Sequence, residues 1–115
     1  MTLNQLIRSD IFTLRNAGDD TERAITVPFC CDLLSIAMSR APSGCAWVTV
    51  MANMNTLAVA SLSDAACVIL AEGTCFDDAA LAKAKTQGIA VFETGLPVFE
   101  AALKVHDLMG QTGQA

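Results

Sequence analysis

The sequence predicts an α/β fold, a small, mostly parallel sheet held between helices in a three-layer α/β/α arrangement. Three observations predict it. Apolar runs of strand length alternate with segments of helix length along the chain. Two of these runs, 45–52 (CAWVTVMA) and 66–70 (ACVIL), are apolar almost throughout, the pattern of strands buried on both faces of a parallel sheet. The connecting turns are brief, and no linker divides the 115 residues. One domain over 1–109 is therefore expected, with 110–115 (GQTGQA) as a disordered tail.

Each element has a local reason. Thr2 is placed to cap a short helix over 3–8, with Leu3, Leu6 and Ile7 on one face. Residues 11–15 (IFTLR) alternate as a strand does, and 16–21 (NAGDDT) is a turn cluster. Residues 25–31 (ITVPFCC) read as a strand at a sheet edge, because Pro28 has no N–H for a ladder. Asp32 then stands where an N-cap belongs, ahead of an apolar helix over 33–40.

The strand over 45–52 ends at Asn53, Met54 and Asn55, and a small-residue helix follows over 56–63. The strand over 66–70 exits through Glu72-Gly73-Thr74. Asp77 and Asp78 suit the start of a helix over 79–87, which Gly88 stops. A last strand over 89–92 turns at Thr94 and Gly95. Pro97 opens the final helix, whose apolar stripe is Val98, Ala102, Val105 and Met109 with Phe99 and Leu103 beside it.

Composition narrows the function. Apolar residues make up 53% of the chain and charged residues 17%, which is more apolar than an average soluble chain. Buried association surface is the simplest use for that excess, so a homo-oligomer, first of all a dimer, is expected. The net charge is −5, and the seven basic residues are scattered. Phosphate-backbone binding needs clustered cations, so nucleic acid is excluded as the main partner. No segment reads as a signal peptide or is long and apolar enough to span a bilayer. A cytoplasmic protein is expected, with no membrane partner.

Five cysteines, none in a C-x-x-C spacing, argue against a disulfide framework and for small apolar core residues. No metal site is expected. His106 is the sole histidine and stands near a helix end, where the dipole favours it. No phosphate loop, dinucleotide fingerprint or nucleophile elbow is present. The chain is therefore not expected to be an enzyme.

In open parallel sheets, ligands bind beyond the carboxyl ends of the strands. Four polar turns fall there, at 31–32, 52–55, 71–74 and 93–95. The candidate ligand-binding residues are Asp32, Asn53, Asn55, Thr56, Glu72, Gly73, Thr94 and Gly95. Asn53 and Asn55 precede free amides of a helix, where Thr56 would receive a phosphate, and the glycines would admit a close ligand. Each polar residue also has a structural reading: Asp32 and Asn53 as caps, the others as turns.

Three stretches, 20–38 (DTERAITVPFCCDLLSIAM), 47–62 (WVTVMANMNTLAVASL) and 66–72 together with 88–94, resemble the DRTGG domain family over nearly the whole chain. Glu22-Arg23, Thr26, Cys31-Asp32-Leu33-Leu34-Ser35 and Ala58-Val59-Ala60-Ser61 stand where family members carry their motif residues. Val27-Pro28 replaces the expected Gly-Gly, which stiffens that turn and removes a donor. The resemblance implies a fold like the N-terminal domains of HPr kinase and a muramyl ligase. It implies a regulatory module; taken with the polar strand-end turns, the expectation is a module that binds a small anionic ligand, such as a nucleotide, and no cofactor is expected. Stand-alone members of the family near iron hydrogenase components imply an alternative, an interaction or oligomerisation subunit of a larger metabolic or redox enzyme.

Overall fold

The computed structural model describes residues 1–112. The elements run α1 (Leu3–Ser9), β1 (Thr13–Asn16), β2 (Pro28–Cys30), α2 (Leu34–Arg40), β3 (Ala46–Thr49), α3 (Met54–Leu62), β4 (Cys67–Leu70), α4 (Asp78–Gln87), β5 (Ala90–Glu93) and α5 (Val98–Gln111). They build a five-stranded sheet in the order β1-β5-β4-β3-β2. Strands β2 to β5 are mutually parallel, and β1 joins β5 antiparallel with an irregularity between Leu14 and Asn16. The α/β class, the mostly parallel sheet and the three layers are as the sequence predicts.

The sheet separates two cores. On one face, Leu3, Leu6 and Phe12 meet Ala101, Val105 and Met109 of α5 over Val48, Ile69 and Phe92. On the other, Ala37, Leu57, Ala80 and Ala84 of α2, α3 and α4 cover Trp47, Val68 and Val91. β3 and β4 are buried along their whole length, which explains why both read as unbroken apolar runs. Phe12 and Phe92 meet edge to face with ring centroids 6.3 Å apart.

The caps follow ordinary rules. Thr2 and Gln5 form a capping box on α1. The Asp77 carboxylate accepts from the Ala80 amide at 2.8 Å to start α4, and Gly88, at φ 69°, closes it. Pro28 opens the edge strand β2 and pairs with Ala46, the edge position expected for it.

Four expectations need correction. Asp32 does not cap α2: the helix begins at Leu34, Leu33 holds the N-cap position, and no side chain caps it. Helix α3 starts at Met54 rather than Thr56, so Asn55 and Thr56 lie in its first turn. On α5, Phe99 is 73% exposed, and the buried stripe is Ala101, Val105 and Met109. Gly110 and Gln111 extend α5 into the stretch read as a tail, Thr112 is its C-cap, and 113–115 lie outside the described residues. No helix among the described residues is long and apolar enough to cross a membrane.

Candidate functional site

Parallel pairing brings the carboxyl ends of β2, β3, β4 and β5 to one edge of the sheet. The predicted turns therefore meet there, but their side chains divide into two groups.

The first group lies beyond β2 and β3. Asp32 Oδ1 accepts from the Thr49 hydroxyl at 2.8 Å and from the Val50 amide at 3.0 Å. Thr49 is fully buried and needs an acceptor, which accounts for Asp32 turning away from α2. Trp47 Nε1 donates to the Cys31 carbonyl at 2.9 Å, fastening the same loop from within. Asn53 Oδ1 accepts from the amides of Asn55 and Thr56 at 2.9 and 3.3 Å. The buried Thr56 hydroxyl donates to the Met51 carbonyl at 2.6 Å. Two amides that would have received a phosphate are thus held by the protein's own cap. The Asn55 side of α3 borders a groove instead, with Leu34, Ser35, Met38, Ala58 and Val59.

The second group lies beyond β4 and β5. Glu72 and Gly73 take left-handed conformations, φ 60° and 76°, and so reverse the chain tightly. Their amides donate to the carbonyls of Leu96 and Thr94 at 2.8 and 3.0 Å, which ties the two turns together. Glu72 Oε2 accepts from the Val98 amide at 3.4 Å, at the start of α5. The Thr94 hydroxyl accepts from the Leu96 amide at 3.2 Å. Gly73, Thr94 and Gly95 line a notch of about 220 Å³ with Thr13, Thr74 and Glu93.

Sequence reasoning missed three of those lining residues. Thr13 arrives through its antiparallel pairing with Glu93, which no local pattern announces. Thr74 and Glu93 stood inside the predicted turns without being chosen. Glu93 has one carboxylate oxygen 3.6 Å from Arg15 Nη1, while its Oε2 is buried with no hydrogen-bond partner. A Cβ built on Gly73 or Gly95 meets nothing within 4 Å. Gly73 needs its glycine for backbone conformation, but Gly95 has neither a left-handed φ nor a close neighbour.

A second cavity, of about 210 Å³, lies at the opposite edge among Gly18, Asp19, Arg23, Asp64 and Gly88. Arg23 pairs with the Asp64 carboxylate at 2.9 Å and also donates to its carbonyl at 2.7 Å. The Asp64 carboxyl is held below the usual carboxylate range, first by the hydrogen bond from Arg23 and then by that from Ser43. Thr26, the neighbouring motif position, donates to the Ser43 carbonyl at 2.8 Å. The Glu22–Thr26 stretch thus ties the amino edge of the sheet and lies away from the carboxyl-edge notch.

The cysteines are not all core residues. Cys45 and Cys67 are buried, whereas Cys30 and Cys75 are exposed and Cys31 is intermediate. Burial pushes the Cys45 thiol up to about 11 and raises Cys67 as well. Cys30 is raised by burial and then by the Asp32 charge. A raised thiol has less thiolate and is a poorer nucleophile and metal ligand. Among the described residues, no group of three or more His, Cys, Asp or Glu side chains is placed to hold a metal ion.

Five of the nine exposed large apolar side chains among the described residues lie on or beside α2 and α3. Leu33, Ile36, Met38, Met54 and Leu62 are each between 45% and 72% exposed. The groove between these helices measures about 500 Å³. Between residues 33 and 63 the chain carries a single charge, Arg40. Compared with known proteins, the chain matches no family model and no curated protein.

Proposed function

We propose that this chain is a non-catalytic regulatory module that binds a small polar ligand in the notch beyond β4 and β5. The observation that carries the reading is Gly95. Backbone strain and crowding leave its glycine unexplained, and it bares the main chain beside a notch at the edge where open α/β sheets bind ligands. The resemblance of 20–38 and 47–62 to DRTGG domains supports a regulatory role.

The chemistry of the notch revises the ligand. An anion was expected at the amides of Asn55 and Thr56, and Asn53 holds both. The notch has no cationic residue in its lining and includes Glu93. It suits neutral or cationic groups that donate hydrogen bonds, such as an amine, a hydroxyl or the base and sugar of a nucleoside. A nucleotide enters this site by its base or ribose, with its phosphates toward solvent.

A thermal-shift panel of amines, nucleosides, nucleotides and phosphorylated metabolites tests this. A compound at a hundred times its Kd adds about 2.7 kcal/mol of stability. Donor-bearing compounds should stabilise the native chain. Gly95→Val should fold with unchanged stability and lose the response. No response across the panel at millimolar concentration, or a response that survives Gly95→Val, contradicts the reading.

A second reading has its own observation. The exposed apolar face of α2 and α3 has the composition of an interface core, depleted of charge and carrying methionine. It supports an interaction or oligomerisation subunit, alone or beside a larger enzyme.

A further inference from the structure

We infer that the notch beyond β4 and β5 takes a small primary amine in its protonated form, and that the Glu93 carboxylate is the group that selects it. The inference rests on the notch reading above and narrows its ligand from hydrogen-bond donors in general to an ammonium. Two observations carry it.

The first is the state of Glu93. Its side chain is only 14% exposed, its Oε2 is buried without a partner, and its Oε1 has Arg15 Nη1 at 3.6 Å. That distance is beyond a hydrogen bond. Arg15 is itself 41% exposed, so the contact is a weak one. A carboxylate so far out of water ordinarily receives several hydrogen bonds. Among the described residues the Glu93 carboxylate receives none.

The second is its neighbourhood. Glu93 borders the notch and is the one charged residue in its lining. Thr74, also in the lining, has spent its hydroxyl proton on the Ala71 carbonyl at 2.7 Å. It can accept from a ligand but not donate. Carboxylate and hydroxyl together ask for a donor, and the charge asks for a cation. An ammonium brings three donors on a compact positive charge, whereas a neutral hydroxyl brings one donor and no charge. The volume of about 220 Å³ keeps the ligand small.

Oε2 is closed to solvent, so the carboxylate meets the ligand by turning toward the notch. The turn breaks no hydrogen bond and gives up only the 3.6 Å contact with Arg15. Arg15 and the ligand therefore compete for one carboxylate.

Amide-shift titrations of the labelled full chain test the proposal. The probes are ethanolamine, serinol and butylamine, each beside the alcohol of the same shape: ethylene glycol, glycerol and butanol. At least one amine should move the Thr94 and Gly95 amides saturably, about tenfold more tightly than its alcohol, the difference that charge makes to a hydrogen bond. Glu93→Gln keeps the shape of the side chain and should bring amine and alcohol to equal affinity. Arg15→Met removes the competing cation and should tighten amine binding about threefold, the strength of an exposed ion pair. Amide dispersion confirms that each variant is folded. An amine preference that survives in folded Glu93→Gln, or amine binding that weakens in Arg15→Met, overturns the inference. If no amine outdoes its alcohol while a neutral compound binds in a Gly95-dependent way, the inference falls and the notch reading stands. If no compound moves the notch amides, both fall.

Discussion

Asp32 Oδ1 receives two donors from the end of β3, one of them the hydroxyl of fully buried Thr49. Removing the acceptor leaves that hydroxyl unsatisfied, which costs about 1–3 kcal/mol. Asp32→Ala should lose that much in urea unfolding. Asp32→Asn keeps an oxygen for both donors and should lose well under half as much. Equal losses would show that charge, rather than hydrogen bonding, fixes the loop. At the other edge of the sheet, Asp64 has its carboxyl lowered by Arg23 and Ser43. The unfolded chain then takes up the Asp64 proton at a higher pH than the native protein does. The stability from this pair is complete above the ordinary carboxylate range and is lost as pH falls through the lowered folded value. Arg23→Ala should flatten the acid limb of the stability profile and change little near neutrality beyond a uniform offset. An unchanged acid limb would contradict the assignment.

At the scale of elements, the signals that were legible are local. Thr2, Asp77 and Gly88 announce helix ends, and the structure uses each as its residue type suggests. The strands β3 and β4 are legible because burial on both faces leaves no polar residue to interrupt them. Signals that depend on the rest of the fold were lost. Asp32 looks like a cap because its real partner, Thr49, ends the neighbouring strand β3, 17 residues further along the chain. Ala101 escaped the apolar stripe of α5 and Phe99 entered it, because residue size suggests burial while the neighbouring sheet decides it. Gly88 adds a check on the α4–β5 turn. Its φ is 69°, and an added Cβ collides with the Asp19 carboxylate. Gly88→Ala should therefore cost more than the ~1 kcal/mol of a left-handed alanine alone, read from the shift in denaturant midpoint. Asp19→Ala in the same chain should recover part of it. A neutral Gly88→Ala would mean that the 18–19 turn yields freely.

At the scale of the whole molecule, the layers, the parallel order and the convergence of four turns at one edge could be read from alternation and connection rules. Which of those turns stay open could not, because that depends on which side chains the loops consume. The β2–β3 end consumes Asp32, Asn53 and Thr56 in its own hydrogen bonds. The β4–β5 end keeps a notch of about 220 Å³. The charges are divided as well, with the 33–63 segment nearly free of them. The molecule thus has a polar notch beyond β4 and β5 and an apolar face on α2 and α3, two places for two kinds of partner.

The central claim is that the notch beyond β4 and β5 is where this module binds. Backbone amide shifts, followed by NMR while the strongest stabilising compound of the panel is titrated into the uniformly labelled chain, test it most directly. The account predicts saturable shifts confined to Thr13, Gly73, Thr74, Glu93, Thr94 and Gly95 and their immediate neighbours. Shifts centred on Asn55 and Thr56, or on the Arg23–Asp64 edge, with the notch unmoved, would contradict it.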